Sequence, residues 1–490
     1  MKFKLGITTA LLTSLLAACG GDGNGAGTDA QNQANKLPIA NADFFNVLQG
    51  NTATLNVLAN DIDPELGTLT LVGTPTIEAS KGTISPSSDK KTFNLTLNAS
   101  FTGDITFSYI VADAQGNQTT GQATVTVKAL QSLSAKQDST CVVTSTGIVK
   151  CWGVNDFGQL GDGTTQAFKN TPVTVTNLSG AKQVAMGYNH ACAITQTGVV
   201  SCWGDNNNGQ LGDGTKTQRL QATTVVDLSA KATQLALTYQ SSCALLETGN
   251  IQCWGSNSQG ELGVGKQITP IRSLSPQTLT LGSNLKAKRI VAGKNHLCAI
   301  SQNDSLFCWG ANEVGQLGIN SSAAVVYQAT QVNLAGSVQQ VAAGFGHTCA
   351  ATANTVSCWG DNSFAQLGNN ASSTTPVTSP VTVLGLTTAL NNLALGKDHS
   401  CAVTTDDKTY CWGSRQAGQT AQTVDAVLLD KEPKEVSTLT GKRALSAGDF
   451  HTCSIEDNSV VKCWGKNDLG QLADGSNAQQ SASPVLVTLN

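Results

Sequence analysis

HACAITQTGVVSCWGDNNNGQLG, residues 190–212, is the stretch that decides the fold of this chain. Two short runs, residues 190–195 and 199–204, flank Gln196, Thr197 and Gly198. Runs of this kind around a glycine-containing turn predict a β-hairpin. Its second strand ends in Cys-Trp-Gly and opens into a loop rich in Asn and Gly. The triplet occurs seven times, at Cys151, Cys202, Cys253, Cys308, Cys358, Cys411 and Cys463, and accounts for all seven tryptophans. Each copy has a second cysteine nine or ten residues upstream: Cys141, Cys192, Cys243, Cys298, Cys349, Cys401 and Cys453. A unit that returns every 50 to 55 residues is one supersecondary element copied along an array.

Working outward from the hairpin, residues 182–187 predict a strand before it, and residues 223–228 one after the loop. Four short antiparallel strands, apolar on both faces, describe a propeller blade wedged between neighbours. Side chains alternate along a strand, so Cys192 and Cys202 point to one face and Trp203 to the other. Trp152, Trp203, Trp254, Trp309, Trp359, Trp412 and Trp464 are therefore expected to pack on adjacent blades. A three-residue loop Ser145-Thr146-Gly147, with Gly147 in a left-handed conformation, sets Cys141 opposite Cys151; Gly198 and Gly249 stand in the same place. In the fifth copy the spacer is one residue shorter, and a two-residue loop Ala353-Asn354 preserves the register. Directly opposed residues lie near disulfide distance. The expected bridges are Cys141–Cys151, Cys192–Cys202, Cys243–Cys253, Cys298–Cys308, Cys349–Cys358, Cys401–Cys411 and Cys453–Cys463.

The run Trp-Gly-x-Asn-x-x-Gly-Gln-Leu-Gly stands as WGVNDFGQLG from Trp152 and WGDNNNGQLG from Trp203, with variants from Trp254, Trp309, Trp359 and Trp464. The copy from Trp412, WGSRQAGQT, lacks the Asn and the Leu. This motif resembles the regulator of chromosome condensation (RCC1) repeat. The resemblance covers residues 129–490 and implies an all-β, seven-bladed RCC1-like propeller that uses its faces for protein contacts. One type of secreted bacterial relative inhibits β-lactamases, which implies a protein target.

Residues 1–18 read as an export signal: Lys2 and Lys4, an apolar run from Leu5, and Leu16-Ala17-Ala18 before Cys19. This resembles a bacterial lipobox, with Cys19 as the lipidated residue. Gly20 after it implies, by enterobacterial sorting, an outer-membrane lipoprotein of the cell envelope. Residues 19–37 carry mostly Gly, Ala, Asn, Gln and Asp and read as a flexible tether. Export to an oxidising compartment is what allows the disulfides. Residues 38–128 alternate in short runs between turn residues, which predicts a small antiparallel β-sandwich. Its segments resemble cadherin-like or Ig-like modules. Asx-turn chemistry at a strand end explains Asn60, Asp61, Asp63 and Glu65, and no cofactor is expected; the alternative is calcium, for which these residues, joined by Asp113, offer hard oxygen ligands.

All five histidines, His190, His296, His347, His399 and His451, sit two residues before a blade cysteine; Ser139 and Ser241 hold that place in the other copies. Equivalent points on neighbouring blades lie on the order of 10 Å apart, too far to share a zinc ion, so a structural hydrogen bond is expected instead. Asp162-Gly-Thr, Asp213-Gly-Thr and Asp474-Gly-Ser recur at one repeat position and read as turns. The sixth copy departs from the pattern over residues 414–436, with Asp425, Asp430, Lys431, Glu432, Lys434 and Glu435, and reads first as a solvated loop, with a recognition loop as the alternative.

Charged residues make up only 13% of the chain and the net charge is −4, without a basic run, which excludes nucleic acid as a partner. No Ser/His/Asp set stands apart from the repeat, and no P-loop occurs. The expectation is a non-enzyme: an envelope-anchored scaffold, touching the membrane through its lipid only, that binds an envelope or extracellular protein. A polysaccharide-binding module is the alternative, and guanine-nucleotide exchange a remote one.

Overall fold

The computed structural model describes residues 35–49, 52–98, 101–265, 271–282, 285–386, 389–423, 428–439, 442–456, 459–476 and 478–489. The leader, Cys19 and Asp425 lie outside them. Every described regular element is a β-strand, and none of the described residues forms a helix long and apolar enough to cross a membrane.

The amino-terminal sandwich has seven strands: β1 (Asp43–Leu48), β2 (Thr52–Leu55), β3 (Thr70–Val72), β4 (Gly82–Pro86), β5 (Phe93–Leu97), β6 (Gly103–Ala112) and β7 (Gln118–Lys128). One sheet runs β1-β7-β6-β3 and the other β2-β5-β4. Alternation sets the inner faces. Along β5, Phe93, Leu95 and Leu97 are buried while Asn94 and Thr96 face out. Phe93 meets Phe107 of β6 edge to face, centroids 5.9 Å apart, in the middle of the core. The sandwich is not wholly antiparallel as expected, because β1 pairs with β7 in parallel.

The rest of the chain forms seven sheets of four consecutive strands. The first blade is β8 (Ser132–Lys136), β9 (Ser139–Val143), β10 (Val149–Val154) and β11 (Phe168–Thr174). Innermost strands such as β8, Ala181–Met186 and Ala232–Leu237 surround a central channel of about 250 Å³. The hairpin register is the expected one: Cys192 pairs with Cys202, and Thr195 and Val199 bracket the turn. Gly147, Gly198 and Gly249 take φ of 79°, 86° and 76°, and Asp304, Asp407 and Ser459 hold the same left-handed place in later blades. After each Cys-Trp-Gly a bulge shifts the pairing between the cysteine and the glycine, as at Cys202/Gly204. This displaces the outer strand. In the second blade it runs Arg219–Thr224, not residues 223–228, and Arg219 bonds Asp213 at its start (2.8 Å).

The ring closes without an exchanged strand, since each described sheet holds only its own four consecutive strands. The inner strand Lys442–Ala447 packs directly on β8. Ala135 N–H donates to Ser446 Oγ (2.8 Å), and Asp449 N–H to Gln137 O (2.8 Å). Gln471 Nε2 donates to Asp138 Oδ1 (3.0 Å). The sandwich touches this seam, where Ser459 Oγ donates to Gln49 Oε1 (3.4 Å) and accepts from Leu130 N–H (3.3 Å).

Candidate functional site

Each junction between blades is built the same way. Trp203 is fully buried against Cys141, Cys151 and Leu160 of the preceding blade. Its Nε1 donates to the Gln159 carbonyl (2.9 Å). Trp254 does so to Gln210, Trp309 to Glu261, Trp359 to Gln316, Trp412 to Gln366, Trp464 to Gln419, and Trp152 back to Gln471 across the seam. The Gly that ends Gly-Gln-Leu-Gly is required here: Gly161 has φ +70°, and a Cβ on it would come 2.8 Å from Trp203 Nε1. The cysteines of each pair are bonded to one another, with Cα atoms 4.0–4.1 Å apart, so every indole lies on a neighbour's disulfide.

The histidines serve the same junctions. His190 Nε2 meets Ser242 Oγ of the next blade at 2.8 Å, and that hydroxyl donates to Gln210 O (2.8 Å). The hydroxyl therefore accepts from His190, which fixes the Nε2–H tautomer. His296 reaches Thr348, His347 reaches Ser400, His399 reaches Thr452, and His451 reaches Thr140 across the seam. The pairing is readable in the sequence. Where Ser139 or Ser241 replaces histidine, the next blade carries Ala191 or Leu297 in place of the hydroxyl. The residue three before each histidine is glycine, because a Cβ on Gly187 would meet His190 Cε1 at 2.3 Å; before the two serines it is Lys136 and Thr238. Each Nδ1 is buried without a partner. Burial pushes His190, His296 and His451 down to about 3 and His347 to about 4, so these rings stay neutral.

Other candidate residues are engaged locally. Asp162 and Asp213 accept from Thr164 and Thr215 and from Asn155 and Asn206, which makes their Asp-Gly-Thr runs turns. Over residues 414–436 the expected loop holds a strand: Leu429–Glu435 is the outer strand of blade six. Asp430 is buried there. It pairs with Arg415 (3.6 Å) and accepts from Thr420 Oγ1 (3.2 Å), the two residues that replace the motif's Asn and Leu. Lys431, Glu432, Lys434 and Glu435 lie on the same strand. In the sandwich the side chains of four of the five calcium candidates, all but Glu65, have separate hydrogen-bonding tasks. Asp63 accepts from Glu65 N–H (2.8 Å), Asp113 from Gln115 and Asn117 N–H (both 2.9 Å), and Asn60 donates to Ala42 O (3.0 Å). Asp61 shares the Tyr109 hydroxyl with Asp43, whose carboxyl burial raises to about 6. Among the described residues no three His, Cys, Asp or Glu side chains are grouped to hold a metal.

The place where chemistry gathers is one mouth of the channel, formed by the turns between the first and second strands of the blades. Two residues before each blade's His or Ser, the copies hold Gln137, Tyr188, Tyr239, Lys294, Phe345, Lys397 and Asp449. Backbone bonds pass from blade to blade and hold this rim: Tyr239 N–H to Lys294 O (2.7 Å), Lys294 to Gly344 (3.1 Å), Phe345 to Gly396 (3.0 Å) and Lys397 to Asp449 (3.0 Å). Tyr188 and Tyr239 meet edge to face, centroids 4.6 Å apart, and Tyr188 donates to Asp449 (2.8 Å). Lys294 and Lys397 stand 4.0 and 5.2 Å from the Phe345 centroid. Deeper in, Lys136 reaches across to Ala292 O (2.8 Å), and burial pushes its ammonium down to about 8 against the pull of Asp449. Beside the tyrosines lies a pocket of about 340 Å³ that Glu261 lines. This is the one motif copy with Glu for Gln, and burial raises its carboxyl to about 7. Sequence reasoning missed this rim. The available signal was its variability: aligned on the cysteines, these positions change from copy to copy, while the residue before them is glycine in five copies and the residue two after them is His or Ser in all seven.

An RCC1-like domain profile matches residues 219–490, RCC1 repeat profiles match residues 131–159, 147–194 and 181–210, and a bacterial Ig domain profile matches residues 35–127. The ultraviolet-B receptor UVR8 of Arabidopsis thaliana is 25% identical over 366 residues, 73% of this chain and 82% of its own length. The secretion-regulating guanine nucleotide exchange factor of Bos taurus is 34% identical over 229 residues, 45% of this chain, which spans only 49% of that relative. Yeast RCC1 (Prp20), in its crystal structure bound to Kap60, superposes with a TM-score of 0.63 at 21% identity over 73% of this chain and 85% of its own, a likeness of fold alone. The repeated tryptophan junctions and these matches together place the chain in the RCC1-like family, as a seven-bladed ring that follows a bacterial Ig domain.

Proposed function

We propose that this protein is a non-catalytic binding scaffold of the bacterial envelope, anchored by a lipid on Cys19, that grips a protein partner with the mouth of its channel. One observation carries the reading. Seven structurally equivalent positions on a rigid rim hold Gln137, Tyr188, Tyr239, Lys294, Phe345, Lys397 and Asp449, while the cysteines and tryptophans beneath them repeat unchanged. A rim that mixes half-exposed aromatic rings with charges is what a protein interface selects. Histidine, the commonest general base, is in each of the five copies that carry it walled into a junction, which supports a role without chemistry. An exported chain meets no cytoplasmic GTPase, so the exchange activity in the bovine relative's name is not assigned to it.

The test is retention from envelope fractions on the mature protein, beside a lipoprotein of unrelated fold. The reading expects specific proteins on the ring and contradicts a result in which nothing exceeds the control. A saccharide is the second reading, favoured by the pocket that sets Tyr188 and Tyr239 beside the amides of Gln240, Gln259 and Asn295. Signals on a glycan array that vanish with Tyr239→Ala would support it, and a blank array would remove it.

A further inference from the structure

We infer that the partner offers an acidic segment to the sector of the mouth formed by blades four to six, and that one of its carboxylates seats between Lys294 and Lys397 above Phe345. This rests on the binding reading above and adds the chemistry of what is bound.

Around this sector cations and rings alternate: Lys294, Phe345, Lys397, Phe450 and Lys466. Lys294 Nζ lies 4.0 Å and Lys397 Nζ 5.2 Å from the centroid of the same Phe345 ring. Lys397 is also 5.0 Å, and Lys466 5.8 Å, from the Phe450 ring. Two ammonium groups brought to one ring repel each other, and a ring face attracts each only weakly. Other cations are answered with a carboxylate: Lys466, at the end of this row, pairs with Asp468 at 2.9 Å, and Arg219 with Asp213 at 2.8 Å. Lys294 and Lys397 form no ion pair with any described residue. The nearby carboxylates have other work. Asp361 accepts from the N–H (3.0 Å) and hydroxyl (2.6 Å) of Ser363. Asp398 accepts from Gln419 (3.2 Å), and Asp449 from Tyr188 (2.8 Å).

The rim backbone bonds fix where both lysines start, so the convergence belongs to the ring and not to one flexible stem. The result is a pair of ammonium groups converging on one ring, among the carboxylates of Asp361, Asp398 and Asp449, on a chain whose net charge is −4. A carboxylate entering here meets two ammonium donors at once, while its aliphatic stem lies on Phe345. Beside that ring a pocket of about 180 Å³, lined by Asn295 and Gln316 and also by the carboxylates of Glu313 and Asp361, receives a neutral or hydrogen-bonding side chain next to the acidic one. Such a charge match steers association and fixes orientation, so it is salt-sensitive.

The experiment replaces Tyr239, next to Lys294, with p-benzoylphenylalanine in the full chain, photolyses intact cells, and sequences the crosslinked peptides. The expected peptides carry clustered Asp or Glu. Adding Lys294→Met and Lys397→Met weakens crosslinking at least tenfold, Lys294→Glu with Lys397→Glu abolishes it, and Lys216→Glu on an exposed loop leaves it unchanged. Melting temperatures of the four variants confirm that the ring is intact. Crosslinked peptides without acidic clusters, or crosslinks indifferent to the lysine changes, overturn this inference and leave the binding reading standing. Crosslinked glycan favours the saccharide reading instead. No crosslink at this position or from the other mouth residues overturns both.

Discussion

At the seven junctions one indole reaches the carbonyl of the preceding blade's Gln or Glu in every copy; at the mouth, two residues before the strands that carry those junctions begin, no residue type occurs more than twice. The two regions are built from the same blades and share the second strand of each. The difference shows what the repeat is for. A junction has one stereochemical solution, with a glycine where the indole presses and a disulfide beneath it, and each blade must match its neighbour. The mouth has no such constraint, because its backbone is held by bonds from blade to blade and its side chains are free to differ. Stability is thus placed in the repeating part of each blade, and the recognition proposed above in the varying part.

Acid is expected to break the junctions first, with the largest effect. Folded His190, His296 and His451 titrate near 3 and His347 near 4, whereas the unfolded rings titrate at about 6.5. Below about 6.5 the unfolded chain takes up protons that the folded chain refuses. Stability is therefore complete above that pH and falls as pH drops toward the folded values. At pH 5 linkage gives about 2 kcal/mol per ring. Glu261, at the mouth, has the opposite sign. Its folded value of about 7 lies above the usual 4.5, so it takes up its proton first in the folded state and offsets about 2 kcal/mol by pH 5. Denaturant midpoints should fall steeply from pH 7.5 to 5, and further in Glu261→Gln; a flat profile would contradict the neutral buried rings.

Trp254→Ala should cost about 4 kcal/mol, as a large buried aromatic does, and also remove one of the two donors to the Gln210 carbonyl. Tyr239→Ala at the mouth should change the melting midpoint by less than a quarter as much. Equal losses at the two sites would erase the distinction. Replacing Cys243 and Cys253 together by Ala should cost about 3 kcal/mol by the loop-entropy estimate, again without touching the mouth. The smallest effect sharpens the junction rule itself. Ser241→His alone should destabilise by about 2 kcal/mol, because Thr238 stands where a glycine is needed and Leu297 offers no hydroxyl. Adding Thr238→Gly and Leu297→Thr should restore most of that, as read from the same midpoints.

Much of the ring was legible because its constraints are local. Cys192 and Cys202 are opposed once Gly198 sets the turn, and the shorter fifth loop at Ala353-Asn354 keeps Cys349 opposite Cys358. The outer strands were misplaced because the bulge at Gly204 depends on how Trp203 leaves the sheet, which no propensity records. In the sandwich, β1 and β4 gave no alternating signal. Phe44 is 78% exposed on β1, and β4 is a Gly-Thr-Ile-Ser-Pro run. The histidine partners were readable but only as a correlation between copies, His190 with Ser242 and Ser139 with Ala191, and not within one copy. The mouth escaped because a search for motifs looks for what repeats, and the rim is what does not. Residues 414–436 misled for the same reason in reverse: their departure from the motif is compensated inside the blade by Arg415 and Asp430.

Retention of envelope proteins and the melting midpoint, measured together on the variant Tyr239→Ala, Phe345→Ala, Phe450→Ala, test the division between ring and rim most directly. The account predicts that retention is lost while the midpoint stays within a few degrees of the parent. Retention that survives in this variant, or a ring that melts early when only its rim is changed, would contradict it.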